Sequence, residues 1–289
     1  WDTVNLRNDL YHYQEGFFVR DIPTFNESVV REGILNAISH RDYRSLDSVF
    51  VRQFPRKIEI TSPGGFPEGV TANNILWSQS PRNRLLAEVL AKCGLVERSG
   101  QGVDLMYRRL LEEGKATPDY NGTDGFTVWL TLRGEVEDIN FVKFLEQIAN
   151  ETQFAGSTLD LVALALIGRD EPLPDKVAER LDVLLEAGVI EKRGRKRYML
   201  SRRFYAFVGK KGTYTRLRGL DRETNKQLLL KHITDNQEDG STFEEFVQVL
   251  PALSRSQVKY LLQGLKNEGR AHVIGRTRGA RWYPGLTPT

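Results

Sequence analysis

Apolar and polar positions along this 289-residue chain follow two periods, and the changes of period mark its elements. From Arg31 to Arg41, Ile34, Leu35 and Ile38 recur at the spacing of a helix that buries one face. Asn26 or Ser28 is placed to cap that helix, which is expected to end near Arg41. Period two takes over at 48–53 and 56–61, where Lys57, Ile58, Glu59 and Ile60 alternate, predicting neighbouring strands. The run Ser62-Pro63-Gly64-Gly65-Phe66-Pro67-Glu68-Gly69 then breaks regular structure. A polar loop over 77–83 leads to a helix at 85–92 that Gly94 ends. The turn Ser99-Gly100-Gln101-Gly102 opens another helix at 103–113, and 126–132 alternates as a closing strand. Residues 1–28 mix an aromatic stretch (Tyr11, Tyr13, Phe17, Phe18) with Pro23 and show no single period. The expected class is α+β, with helices on one face of a mixed or antiparallel sheet.

Residues 135–289 contain a diverged repeat. Val177, Leu181, Leu184 and Gly188 align with Val258, Leu262, Leu265 and Gly269, each pair offset by 81 positions. In both copies short helices precede an amphipathic helix (175–187, then 254–268), a glycine at C′ stops it, and a basic hairpin follows. Val189-Ile190 and 197–200 flank the first turn, Arg193-Gly194-Arg195-Lys196; 271–274 and 280–283 flank the second, Gly275-Arg276-Thr277-Arg278-Gly279. Ser254 is the expected cap of the second helix. This order reads as a winged helix, which divides the chain at 1–134, 135–212 and 213–289.

On double-stranded DNA a winged helix sets its last helix in the major groove and its wing against phosphate or the minor groove. Arg255, Gln257 and Lys259 occupy the exposed first turns of the second copy's helix, with side chains suited to base edges. Arg276, Arg278 and Arg281 in the second wing, and Arg193, Arg195, Lys196 and Arg197 in the first, are the phosphate candidates. The first copy's helix shows Asp175, Glu179 and Asp182, which repel phosphate, so packing or dimerisation is its alternative use. Tandem winged helices also bind protein.

Charge sharpens that picture. The net +3 conceals 16 basic and 17 acidic side chains in 1–134 against 25 and 21 in 135–289. Residues 189–218 hold 11 Lys or Arg against Glu191 alone, and 255–281 hold 7 against Glu268 alone. Such clusters point to a phosphate backbone, with a solvated face as the competing reading. A single cysteine, Cys93, excludes a disulfide framework and a cysteine-based zinc site. With no apolar run of membrane-spanning length and no signal-peptide pattern, no membrane partner and a cytoplasmic setting are expected. The chain opens on Trp1, so an upstream segment is expected too.

Glu32 and Asn36 stand four residues apart, on one helical face. By itself that pair is common on solvated helices; the two glycine turns downstream are what suggest a nucleotide pocket. Together with Ala37, His40-Arg41-Asp42-Tyr43, the run from Ile58 to Gly69, Arg82-Asn83, Leu85-Leu86-Ala87-Glu88, Gly94-Leu95-Val96-Glu97 and Gly100-Gln101-Gly102, these residues resemble a known family. It is the ATPase-like region of RecG-related, "ATP-dependent DNA helicase-related" proteins, a branch of the GHKL (Bergerat-fold) superfamily.

The resemblance implies a GHKL-like α/β sandwich, winged helices downstream and a Schlafen-like nucleic-acid-binding domain upstream. It also implies ATP and Mg²⁺ as cofactors. Glu32 would polarise the attacking water and Asn36 would hold Mg²⁺. Gly64, Gly65, Gly100 and Gly102 would let backbone N–H groups approach phosphate, and His40 is a further phosphate contact or a structural histidine. Ser62 stands where the superfamily carries an adenine-reading Asp. A helicase motor needs G-x-x-x-x-G-K-[ST]; Gly209-Lys210-Lys211-Gly212-Thr213 lacks that spacing, so strand unwinding is not expected. The expected function is an ATP-binding, DNA-binding regulator, with a possible Mg²⁺-dependent ATPase activity. The alternatives are a nucleotide-silent winged-helix DNA binder, and a homo-oligomeric scaffold or defence-system subunit whose activity lies upstream.

Overall fold

Short-range pairing accounts for the first elements of the chain, seen in a computed structural model. The structure describes residues 1–15, 18–78, 80–95, 102–152, 156–193, 197–207, 222–251, 253–275 and 279–285. A short helix, α1 (Asp2–Asn5), precedes an antiparallel hairpin of β1 (Leu10–Glu15) and β2 (Phe18–Pro23). Tyr11, Tyr13 and Phe18 of the aromatic stretch therefore belong to a hairpin, with Tyr13 buried while Tyr11 and Val19 face solvent; Phe17 lies outside the described residues. Helix α2 (Glu27–Ser39) follows, and the cap is Asn26, whose carboxamide oxygen accepts from the Ser28 and Val29 amides. Its most buried stripe is not Ile34, Leu35 and Ile38 but Val29, Val30, Gly33 and Ala37. Small residues let the helix lie close on the sheet: a Cβ on Gly33 would come within 2.9 Å of Ile60 Cδ1.

Strands β3 (Phe50–Phe54) and β4 (Lys57–Pro63) pair antiparallel, so Ser62 and Pro63 extend a strand instead of breaking it. Helices α3 (Arg84–Lys92) and α4 (Gly102–Glu112) come next. Strand β5 (Thr127–Arg133) then returns beside β4, giving a sheet in the order β3-β4-β5, antiparallel throughout. Its inner face gives Ile58, Ile60, Leu130 and Leu132 to a core with Phe25, Val29, Val30, Met106 and Leu110. At roughly 1.5–3 kcal/mol for each large apolar side chain buried, this layer outweighs any single polar contact nearby.

Helices α5 (Ile139–Thr152), α6 (Thr158–Gly168), α7 (Asp175–Ala178) and α8 (Leu181–Glu186) lead to a hairpin of β6 (Ile190–Lys192) and β7 (Tyr198–Leu200), then α9 (Arg202–Phe207). The single helix expected at 175–187 is thus two pieces. Arg180, at the break, is anchored by two hydrogen bonds to Asp160, which itself caps α6 through Ser157. Contacts group the chain into Trp1–Val208 and Gly209–Thr289. Inside the first unit, Asp104 and Arg108 of α4 bond to Thr158 and Gly156, across the boundary expected at 134.

The second unit contains α10 (Arg222–Asp235), α11 (Phe243–Val249), α12 (Arg255–Asn267) and a hairpin of β8 (Ala271–Ile274) and β9 (Arg281–Pro284). Ser254 caps α12 reciprocally with Gln257, and Gly269 leaves the helix at φ +69°. Leu229, Ile233, Phe246, Val258, Leu262 and Leu265 form its own core. Among the described residues no helix is long and apolar enough to cross a membrane.

Candidate functional site

Helix α2 presents Glu32 and Asn36 one turn apart, and Asn36 Nδ2 donates to Glu32 Oε1 at 3.0 Å. Both line a cavity of about 570 Å³ in the first unit, floored by Ile60, Val128 and Leu130. His40, Ser62, Gly65 and Gly102 line it too, so residues as far apart as 32 and 102 in sequence converge. Gly64 lies beside the cavity: a Cβ there would fall 1.8 Å from Arg82 Nη1 and 2.8 Å from Asp42 Cβ, and its φ of +94° favours glycine. Gly100 lies outside the described residues.

The start of α4 abuts Glu32. A Cβ on Gly102 would come 1.6 Å from Glu32 Oε1. The carboxylate therefore stands at the positive end of a helix, the place where an incoming phosphate would also be stabilised. Asn36, having given its N–H to Glu32, keeps its carboxamide oxygen as a hard donor suited to Mg²⁺, which retains water in the rest of its shell. Among the described residues no group of three His, Cys, Asp or Glu side chains could hold a metal by itself. Ser62 is buried, and its hydroxyl donates to the Ala37 carbonyl at 2.7 Å, which leaves lone pairs for the cavity.

Electrostatics set the protonation states around the cavity. Burial, and then the charge of Arg82, hold the His40 imidazole below its ordinary 6.5, so it is neutral at pH 7. Hydrogen bonds from the Arg44 side chain and backbone bring the nearby Asp42 down to about 2. The Tyr120 phenol is pushed up by burial, with Tyr107 and Glu32 adding to it, and stays protonated.

Two further residues support the site, and the sequence offered little sign of either role. Arg82 Nη2 donates to the Gly65 carbonyl at 2.6 Å, bracing the glycine turn. Asn83 Nδ2 donates to the carbonyls of Ser39 and Arg41 at 2.9 and 2.7 Å, closing the C-terminal end of α2. Their signal was membership in the run of residues that carries the family resemblance, which gave neither of them a role.

The cationic candidates differ in their partners. Arg255 makes two hydrogen bonds to Glu244, at 2.9 and 2.5 Å, and lies over the Phe243 ring. Gln257 accepts from the Ser254 amide as part of the α12 cap. Arg281 donates to the Gly240 carbonyl, and Arg193 faces Asp170 at 3.9 Å. Lys259 and Arg197 are exposed. Arg195, Lys196, Arg276 and Arg278 lie outside the described residues.

A family model described as "Putative ATP-dependent DNA helicase recG C-terminal" matches residues 47–132. That stretch carries Ser62, Gly64, Gly65 and Gly102 but begins after Glu32 and Asn36. Among solved structures, the DIP2311 protein from Corynebacterium diphtheriae is similar, at 25% identity and a TM-score of 0.61 over 72% of this chain. The chain spans 46% of that protein's length. No curated protein matches it.

Proposed function

We propose that this chain is an ATP-binding, DNA-associated regulatory module in which residues 1–134 form a GHKL-type domain and two winged helices follow. The convergence of Glu32, Asn36, Ser62, Gly65 and Gly102 on one cavity carries the nucleotide reading. The family match over 47–132 supports it. Asn36 would hold Mg²⁺, a bound metal would neutralise phosphate charge, and Glu32 would position water. In the second unit, the capped helix α12 followed by a β-hairpin supports duplex binding, with Lys259 as an exposed cation of its first turns beside Arg255. Arg255 would first have to leave Glu244.

Titration of the full chain with a fluorescent ATP analogue and Mg²⁺ tests the pocket. Saturable binding is expected, with Glu32→Gln lowering any ATP turnover by about 100-fold or more while binding survives. No binding at millimolar nucleotide would sink the reading. A nucleotide-silent DNA binder is the second reading, favoured by Glu32 standing at the start of α4, where a phosphate would sit. It predicts salt-sensitive duplex binding that ignores both ATP and Glu32→Gln.

A further inference from the structure

We infer that the outer face of the β3-β4-β5 sheet is a platform for single-stranded nucleic acid, a surface of the first unit distinct from the nucleotide cavity. Strand register builds it. Phe50, Thr61 and Trp129 form one cross-strand row, Arg52, Glu59 and Thr131 the next, and Phe54, Lys57 and Arg133 the third. Because side chains alternate, all nine turn away from the core that takes Ile58, Ile60, Leu130 and Leu132; Thr61 is itself buried, so the open surface runs over Phe50, Arg52, Phe54, Lys57 and Arg133.

Rings and cations interleave on this face. Phe50 is 50% exposed and Phe54 39%. The Arg52 guanidinium lies 5.2 Å from the Phe50 ring and 5.9 Å from that of Trp129, and Lys57 Nζ lies 4.8 Å from the Phe54 ring. Glu59 is balanced by Lys57 at 2.6 Å, and Asp119 stands 3.7 Å from Arg133. Arg52 has no carboxylate partner among the described residues, so it leaves the face net positive.

Unstacked bases lie on aromatic rings and guanidinium planes while their phosphates meet cations, and this surface offers both. A duplex hides its base faces and has no use for Phe50 and Phe54. A second copy of the chain would bring Arg52 against a like-charged face.

The test is fluorescence anisotropy of the full chain with a labelled oligothymidylate of about twenty nucleotides and with a duplex of equal length. Phe50→Ala combined with Phe54→Ala, and separately Arg52→Gln, are expected to weaken single-strand binding about tenfold or more. Duplex binding stays unchanged. Arg52→Gln removes charge from an exposed site, so it remains informative if the double variant fails to fold. Unaltered single-strand affinity in Arg52→Gln would overturn the assignment. So would equal losses for strand and duplex, or variants that change the sedimenting mass instead of nucleic-acid binding. None of these outcomes depends on ATP, so the result is independent of the cavity's reading.

Discussion

His40 shows how one residue records its surroundings. Burial and Arg82 both disfavour the imidazolium, so the folded pKa lies below the ordinary 6.5. Above 6.5 both folded and unfolded chains carry the neutral ring, and the stability tied to neutrality is fully present. It is lost as pH falls from 6.5 towards the folded value, because the unfolded chain takes up the proton first. Arg82→Gln removes the second cause and leaves burial. The His40 ring, followed by NMR titration, should therefore protonate at higher pH than in the parent while staying below 6.5. An unchanged midpoint would show that Arg82 does not act on it. The pair Glu32 and Asn36 was legible in the sequence because a helix fixes neighbours four residues apart. Arg82 was not: its acceptor is 17 residues away, across a turn.

Among the elements, α2 is fastened at both ends. Asn26 closes the N-terminus and also donates to Glu113 at 2.5 Å, while Glu113 holds the fully buried ammonium of Lys115 at 2.5 Å. Asn26→Ala should lower unfolding free energy by about 1–2 kcal/mol for the cap, measured by urea denaturation. A loss below about 0.3 kcal/mol would mean that the cap is replaceable. Helix periodicity located α2 but misjudged its buried stripe, since Gly33 and Ala37 carry little apolar signal and face the sheet because they are small. The β1-β2 hairpin was hidden for another reason: its exposed face keeps apolar side chains such as Leu10 and Val19, which blurs the alternation.

At the scale of the molecule, the second unit has a core made wholly of its own residues. A fragment of residues 209–289 should therefore unfold cooperatively in a thermal melt; a broad, non-cooperative transition would show that it needs the first unit. Its helices and hairpin were readable because caps, glycine stops and a period of 3.6 are local signals. The attachment of residues 156–208 to the first unit was not, since it rests on pairs such as Thr158–Asp104 that no periodicity encodes. The cavity itself has unequal walls. Helix α2 forms one side, with its ends tied and its stripe in the core; α3 contributes to another with no buried residue, leaving Leu85 and Val89 in solvent. Displacing α3 sacrifices few contacts, whereas displacing α2 disrupts the core. Whatever occupies the cavity thus meets a fixed gauge on the Glu32 side and a compliant one opposite, so variation in ligand size is absorbed at α3, while chemistry is held to tolerance at Glu32 and Asn36.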